Sequence, residues 1–272
     1  MKDDSRDKRE EILKNFKKLL ENLESLPELT DELMKLFYTQ IERFANFDHF
    51  REIRAGKPEA VFGPGKSSQE IVKILKKAME SSGGILVTRV SPEQIKAIKE
   101  EFRGKFKLEI NERSGTVIIG EKKERMGKVA ILTAGTSDIP VAEEAATTAE
   151  FLGLEVIKEY DVGVAGIHRL FNPLVKILEE GVDSIIVVAG MEGALPSVVA
   201  GLVDIPVIAV PTSVGYGANL NGITTLFSML QSCSSGVAVV NIDNGFGAAV
   251  FASMISRVKQ RRVKEGFYEN KR

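Results

Sequence analysis

Four polar, glycine-rich stretches hold the residues of this chain whose types and spacing could do chemistry. They are T-A-G-T-S-D at 133–138, A-G-M-E-G-A-L-P at 189–196, P-T-S-V-G-Y-G-A-N at 211–219 and N-I-D-N-G-F-G at 241–247. Small residues let a backbone approach an anion closely, while hydroxyl and amide groups supply hydrogen-bond donors. Two interpretations stand: a site for a phosphate-bearing ligand, or the tight turns that any α/β fold requires.

Each of these stretches follows a short apolar run rich in β-branched residues. Five such runs alternate with segments of helical length, and they lie at 129–132, 155–158, 184–189, 207–210 and 237–242. This alternation predicts a doubly wound, flavodoxin-like parallel sheet with helices on both faces. Ligands bind such sheets at the carboxyl ends of the strands, so the fold would bring the four stretches to one edge.

The preceding part of the chain predicts a smaller helical or α+β domain. Serine followed three residues later by Glu or Gln, at Ser67 and at Ser91, predicts that helices begin there. A strand is predicted at 85–90, and a hairpin from 106–110 and 116–119. Apolar residues at helical spacing predict an amphipathic helix near the amino terminus, at Leu13, Phe16, Leu19, Leu20 and Leu23.

The distribution of charge predicts where one domain ends and the next begins. Of the 75 charged side chains, 50 lie in the first 130 residues, and a polar, basic run occupies 121–128. We therefore expect an N-terminal domain at 1–127 and a catalytic α/β domain at 128–272.

Composition disfavours several partners and compartments. The net charge of −1 gives no general attraction to nucleic acid or to an anionic membrane. The single cysteine and the charged N-terminus, which lacks the apolar stretch of a signal peptide, predict a cytoplasmic protein. Residues 205–242 carry no charge but are broken by prolines and glycines, which favours burial in protein over a membrane span. Within that run, 218–231 is predicted to be an uncharged helix at a subunit interface.

Familiar cofactor motifs are absent from the sequence. No G-x-G-x-x-G follows the first strand and no P-loop occurs, which argues against an ordinary Rossmann dehydrogenase and a P-loop NTPase. Two distant histidines and one cysteine cannot form a zinc site of standard composition. Mg²⁺ bound to carboxylates and to a phosphate ligand remains open.

Taken together, the motifs resemble those of the LarB family. They are G-T-S-D-x-P at 135–140, G-I-H-R at 166–169, A-G-M-E-G-A-L-P at 189–196, V-A-V-V-N-I-D-N-G-F-G at 237–247 and D-H-F-R-E-I-R-A-G-K-P-E at 48–59. The resemblance implies a C-terminal domain similar to PurE, the carboxylase of purine synthesis. It also implies a homo-oligomer, since PurE-like proteins assemble as octamers with sites between subunits.

The resemblance implies a reaction on nicotinic acid adenine dinucleotide, with NAD as an analogue. CO₂ or bicarbonate would carboxylate the pyridinium ring, and hydrolysis of the phosphoanhydride would release AMP and pyridinium-3,5-biscarboxylic acid mononucleotide, a precursor of the nickel-pincer nucleotide. Where PurE has a histidine in its A-G-x-x-x-H-L-P turn, this chain has Ala194 and adds Glu192. Two alternatives remain: a PurE-type carboxyaminoimidazole ribonucleotide mutase, and a non-catalytic nucleotide-binding module.

Cys233 is the only thiol in the chain. A lone cysteine in an uncharged run is typically a small buried hydrophobe. The match of Q-S-C-x-x-G-V-A-V-V-N-I-D to LarB instead implies the nucleophile that adds to the ring. Because Cys233 precedes the fifth predicted strand, it belongs at the amino edge of the sheet, opposite the polar turns. Either it is structural, or another subunit brings it to the site.

Two carboxylates complete the predicted catalytic group. Glu192 is expected to act as a base whose pKa is raised by an apolar turn; the alternative is an outward carboxylate that caps the next helix. Asp138 is either a helix cap or a group that orients phosphate, a metal-bound water or the carboxyl donor. The predicted substrate-binding residues are Gly135, Thr136, Ser137, His168, Arg169, Gly190, Met191, Gly193, Asp243 and Asn244. For His168 and Arg169, the alternative is a pair on the surface at the start of a helix.

Overall fold

The structure is a computed structural model that describes residues 14, 15, 18, 38–41, 45–48, 51–80 and 82–269. The apolar positions of the predicted amino-terminal helix lie outside these residues, as does His49 of the 48–59 motif.

The first region of the structure is built around a mixed four-stranded sheet. After the antiparallel ribbon of β1 (Tyr38–Ile41) and β2 (Ala45–Asp48), its elements are α1 (Arg51–Ala55), β3 (Ala60–Phe62), α2 (Ser68–Met79), β4 (Gly84–Thr88), α3 (Pro92–Phe102), β5 (Leu108–Asn111) and β6 (Thr116–Gly120). The strand order is β3-β4-β6-β5, with only β3 and β4 parallel. The predicted smaller α+β region and its hairpin are confirmed.

The two helix starts predicted from serine are also confirmed. The Ser67 hydroxyl accepts a hydrogen bond from the Glu70 amide, and the Ser67 amide donates to the Glu70 carboxylate at 2.7 Å. Ser91 and Gln94 make the same reciprocal pair at the start of α3. Each pair satisfies amides that have no partner within the first helical turn, and this fixes where α2 and α3 begin.

The second region is built around a five-stranded parallel sheet. Its elements are β7 (Gly127–Thr133), α4 (Ile139–Phe151), β8 (Leu154–Glu159), α5 (His168–Glu180), β9 (Ser184–Ala189), α6 (Leu195–Ala200), β10 (Val207–Pro211), α7 (Ile223–Leu230), β11 (Val237–Val239) and α8 (Gly245–Glu269). The strand order β11-β10-β9-β7-β8 is the flavodoxin-like arrangement. The predicted doubly wound sheet is confirmed.

Alternation along the strands builds a core on each face of this sheet. Ala130 and Leu132 of β7 pack with α5, α6 and α7, whereas Val129 and Ile131 pack with α4 and α8. Successive side chains of a strand point to opposite faces, so a strand covered on both sides must be apolar throughout. All residues of β9 and β10 are accordingly buried.

Alanines allow α4 and α8 to pack closely against each other and the sheet. Ala145 and Ala149 of α4 and Ala248 and Ala252 of α8 are completely buried in the same core. A methyl group is the largest side chain that such close contact tolerates. This packing holds the start of α8, and the turn before it, against the carboxyl edge of the sheet.

Two predictions for the charge-free run need correction. The fifth strand ends at Val239 rather than 242, because its pairing with β10 ends at Ala209 and Val239. The predicted helix at 218–231 is interrupted: a 3₁₀ segment at Gly217–Gly222 precedes α7, and Leu220 and Asn221 have positive φ. Among the described residues, no helix has the length and apolar character needed to cross a membrane.

Candidate active site

Asp138 joins three of the four polar turns at the carboxyl edge of the parallel sheet. Its side chain is buried; one carboxylate oxygen accepts from the Thr212 hydroxyl at 2.8 Å, and the other accepts from the Gly135 amide at 2.9 Å. The Gly190 amide also interacts with it. These three residues follow β7, β9 and β10, and the strand order reverses between β7 and β9. The carboxylate therefore lies at the switch point where such sheets bind ligands.

The surroundings of Asp138 favour its protonated form. Burial raises the pKa of Asp138, and the nearby Asp243 carboxylate adds to this rise. The hydrogen bonds from Thr212, Gly135 and Gly190 stabilise the charged form and oppose the rise without cancelling it. A carboxyl group with a raised pKa, at the edge where ligands bind, is suited to accept and return a proton.

Asp243 shapes the fourth turn, between β11 and α8. Its carboxylate accepts from the Ser213 amide at 2.8 Å, and its own amide donates to the Pro211 carbonyl at 2.8 Å. Next to it, the Asn244 side chain accepts from the Gly247 amide at 2.8 Å, as a cap for α8. Both of these predicted binding residues thus have a structural partner within the chain for a side-chain oxygen.

The turn after β9 requires glycine at two positions, and it exposes two side chains to solvent. A methyl group at Gly190 would lie 2.5 Å from the Val214 carbonyl oxygen and 2.7 Å from the Thr212 hydroxyl. Gly193 has a φ of +64°, which favours glycine. Met191 and Glu192 are exposed between them. The burial expected around Glu192 is therefore absent in the single chain, which corrects the prediction of an apolar environment.

Thr136 and Ser137 are exposed on the 3₁₀ turn that follows β7. Their hydroxyls are open to a ligand beside buried Asp138. The pair His168 and Arg169, at the start of α5, is also exposed. Arg169 forms an ion pair with Asp161 at 2.6 Å, so its guanidinium has a partner within the chain.

Cys233 lies away from these turns. It is exposed, in the loop between α7 and β11. Three residues later, the Gly236 carbonyl accepts from the amide of Val207, the first residue of β10. The loop is thus at the amino edge of the sheet, as the strand direction predicts. A single chain does not bring this sulfur to Asp138.

An exposed apolar surface adjoins the Cys233 loop. Leu220, Ile223, Phe227 and Leu230, which we call the α7 surface, are each between 44% and 65% exposed. Contiguous exposed apolar side chains are typical of protein contacts. The prediction that residues 218–231 lie at a subunit interface would require a second chain to cover this surface.

Sequence reasoning missed two arginines that reach the turns from the four-stranded sheet. Arg89, after β4, forms a two-pronged ion pair with buried Glu144 and donates to the Asp243 carbonyl. Arg113, in the β5–β6 turn, donates to the Thr136 carbonyl at 3.4 Å. The only sequence signal was a cation directly after an apolar strand or in a hairpin turn, which is common on any surface.

The described part of the chain has no cluster of three or more His, Cys, Asp or Glu suited to a metal. Both oxygens of Asp138 already accept hydrogen bonds. The residues described thus offer one or two carboxylates to a Mg²⁺ ion rather than a complete coordination shell, which fits an ion bound mainly by a phosphate ligand.

Comparisons with known proteins agree with this architecture. Residues 128–272 match the family model of AIR carboxylase, and residues 38–122 match that of the LarB/PurE-like N-terminal domain. An uncharacterized protein of Methanocaldococcus jannaschii is 50% identical over 87% of this chain and 93% of its own length. The N5-carboxyaminoimidazole ribonucleotide mutase of Thermotoga maritima is 34% identical over 52% of this chain and 83% of its own. A crystal structure of Treponema denticola PurE aligns with a TM-score of 0.39 and 22% identity, covering 53% of this chain and 95% of that one.

Proposed function

Because this chain belongs to the AIR carboxylase family and carries a LarB/PurE-like N-terminal domain before it, we propose that it carboxylates the pyridinium ring of nicotinic acid adenine dinucleotide. CO₂ or bicarbonate supplies the carboxyl group. Water cleaves the phosphoanhydride, and the products are pyridinium-3,5-biscarboxylic acid mononucleotide and AMP. Family membership by itself supports the broader statement, a PurE-related carboxylation or mutase-type function.

One observation carries the finer proposal: the two family matches occur in tandem in one chain. The mutase relatives align over about half of this chain, at roughly the size of its parallel-sheet region. The four-stranded sheet is thus additional to the part shared with those mutases. Its two arginines reach the candidate site, which supports a substrate larger than a mononucleotide.

In the proposed reaction, the Cys233 thiolate first adds to carbon four of the pyridinium ring. The new C–S bond places the electron pair in the ring as a dihydropyridine, whose carbon five is enamine-like and attacks CO₂. Loss of the proton from carbon five and expulsion of the thiolate restore the aromatic ring. Atoms and electrons balance without an external oxidant.

We assign the proton transfer to Asp138 in preference to Glu192. Asp138 is buried, and its pKa is raised by that burial, whereas Glu192 is exposed. A general base must ionise near the working pH while lying in reach of the reacting carbon. Glu192 remains a candidate base only if a neighbouring subunit buries it.

Cys233 requires a second copy of the chain. It lies at the edge of the sheet opposite Asp138, and the apolar α7 surface next to it is exposed. We propose that this surface packs against another protomer of a homo-oligomer and carries Cys233 to that protomer's turns. Sites built between subunits are common in symmetric assemblies.

The remaining predicted residues hold the substrate in this proposal. Thr136 and Ser137 face the phosphates, and Met191 lies beside the pyridinium ring. His168 lies at the rim of the site, next to the ion-paired Arg169. Mg²⁺ bound to the diphosphate would neutralise its charge, and Asp138 and Asp243 are the carboxylates that would hold such an ion.

The proposal is tested by incubating the full chain with nicotinic acid adenine dinucleotide, ¹³C-bicarbonate and Mg²⁺, and by measuring products by mass. The expected result is label in the pyridine ring together with AMP. Cys233→Ala, which should fold normally because the side chain is exposed, is the inactive control.

A mutase function is the second candidate, favoured by the 34% identity to N5-carboxyaminoimidazole ribonucleotide mutases. Turnover of that nucleotide, with no label in the pyridine ring, would replace our proposal. Binding of the dinucleotide without any turnover would instead indicate a nucleotide-binding module.

A further inference from the structure

Arg113 is the one arginine at the polar turns that has no acidic partner among the described residues. Arg89 pairs with Glu144, and Arg169 pairs with Asp161. Within the described part of the chain, the only hydrogen bond of the Arg113 side chain goes to the Thr136 carbonyl, at 3.4 Å. A guanidinium has five N–H donors, so most of those of Arg113 remain available.

The hairpin that carries Arg113 is fixed to the parallel-sheet region. Asn111, at the end of β5, donates from its side-chain amide to Glu143 at 2.6 Å and to Thr147 at 3.3 Å. Both partners belong to α4, the helix that follows the turn of Thr136. The Asn111 side chain also accepts from the Ser114 amide, which shapes the turn around Arg113. The guanidinium is therefore anchored beside Thr136 by its neighbours.

The groups next to Arg113 are suited to an anion. Thr136 and Ser137 expose two hydroxyls on the same turn. Both carboxylate oxygens of Asp138 accept hydrogen bonds within the chain, one from the Thr212 hydroxyl and the other from the Gly135 amide. A solvent-facing cation beside two hydroxyls matches the recognition of a phosphate group, which guanidinium binds through paired hydrogen bonds.

We propose that Arg113 binds a phosphate of the substrate over the turn of Thr136 and Ser137, so that the four-stranded sheet contributes directly to substrate recognition. This inference rests on the proposed function, since it places the diphosphate of the dinucleotide at that turn. Arg113 is then a binding residue, and its removal weakens the substrate complex without changing the chemistry.

The test compares wild type, Arg113→Ala and Arg113→Lys as full chains, with Arg103→Ala as a matched control. Arg103 is also an exposed arginine of the same region, but it lies at the end of α3, away from the turn. Binding of nicotinic acid adenine dinucleotide, of NAD and of inorganic pyrophosphate is measured by calorimetry, and KM and kcat are measured for the dinucleotide. NAD has the same diphosphate but a carboxamide in place of the ring carboxylate.

Loss of one charge-assisted contact should weaken binding of all three ligands by roughly 10- to 100-fold in Arg113→Ala. KM should rise by a similar factor while kcat changes by less than about twofold. Arg113→Lys should recover part of the affinity, and Arg103→Ala should match wild type. These results together would support the assignment.

Equal pyrophosphate affinity in wild type and Arg113→Ala, or no pyrophosphate binding by wild type, would overturn it. A loss confined to the nicotinic acid dinucleotide would overturn it too, because Arg113 would then bind the ring carboxylate. Failure of the proposed function has a different signature: Arg113-dependent binding of pyrophosphate without carboxylation of the dinucleotide by wild type.

Discussion

Arg89 and Asp243 connect the two sheets through a hydrogen bond from the Arg89 guanidinium to the Asp243 backbone carbonyl. Both residues have left-handed backbone conformations, with φ of 54° and 57°. Such conformations cost about 1–3 kcal/mol for non-glycine residues and persist where the surroundings hold them. Gly63 makes room for this arrangement, since a methyl group there would lie 2.8 Å from the Arg89 carbonyl oxygen. The four-stranded sheet thus holds the turn that carries Asp243.

Arg89→Ala should destabilise the protein through Glu144. The Glu144 carboxylate is buried and accepts from Arg89 at 2.9 and 3.3 Å, so removal of the guanidinium leaves its charge poorly compensated. Because Arg89 is partly exposed, we expect a loss of about 2 kcal/mol in the free energy of unfolding, less than for a fully buried pair. Urea unfolding measures this value.

The double variant Arg89→Ala with Glu144→Gln should be more stable than the sum of the single losses predicts, because the neutral amide no longer needs the cation. Additive losses would show that the two side chains do not interact.

Asp138→Asn should abolish turnover and change how stability depends on pH. Because burial raises the pKa of Asp138 in the folded state, the folded protein binds this proton more tightly than the unfolded chain does. The stability that the proton contributes is complete below the pKa of the unfolded chain and is lost as pH rises through the raised pKa.

The Asn variant has no group that titrates at this position. The unfolding free energy of Asp138→Asn minus that of wild type should therefore increase as pH rises above the pKa of an unfolded aspartate, about 4, and should level off above the raised pKa of the folded state, whatever its starting value. Urea unfolding at several pH values measures the difference. A difference that stays constant would mean that the pKa of Asp138 is the same in both states.

Gly190→Ala should destabilise the turn after β9. Its methyl group would lie 2.5 Å from a backbone oxygen of the neighbouring turn, so the two turns must move apart. We expect a loss of about 1–3 kcal/mol in the free energy of unfolding, together with weaker substrate binding. Gly83→Ala is the matched control, because a methyl group at Gly83 meets no atom within 4 Å. Equal stability of the two variants would contradict the close packing of Gly190 against the neighbouring turn.

Two inactive variants should restore activity to each other if the site lies between subunits. Cys233→Ala retains Asp138, and Asp138→Asn retains Cys233. After dissociation and reassembly of an equal mixture, about one quarter of the sites would combine both intact residues from different chains. Carboxylation of the labelled dinucleotide measures the recovery.

Phe227→Glu provides the control for this experiment, because it places a charge on the α7 surface, where Phe227 is 62% exposed. We expect it to prevent assembly in sedimentation velocity and to abolish the recovery. Activity in the mixture that is no higher than in either variant alone would place Cys233 and Asp138 outside a shared site.

Local patterns in the sequence were sufficient to predict the parallel sheet and the helix starts. The β-branched runs around Val129 and Ile186 specify strands that are buried on both faces, and Ser67 and Ser91 specify caps through contacts three residues away. The position of Cys233 at the amino edge also followed from sequence, because in a parallel sheet a residue just before a strand lies opposite the turns that follow the strands.

Other features depended on contacts between distant residues, and only the tertiary structure decided them. The partners of Arg89 lie 55 and 154 residues away, and the exposure of Glu192 depends on how its turn packs against Val214. The break at Leu220 and Asn221 is different, because the pair Asn221-Gly222 is a local turn signal that the helix prediction overlooked. Alternation along a strand follows from its extended backbone, and a helix cap from contacts three residues away, whereas the contact of Arg113 with Thr136 depends on how two separate sheets pack together.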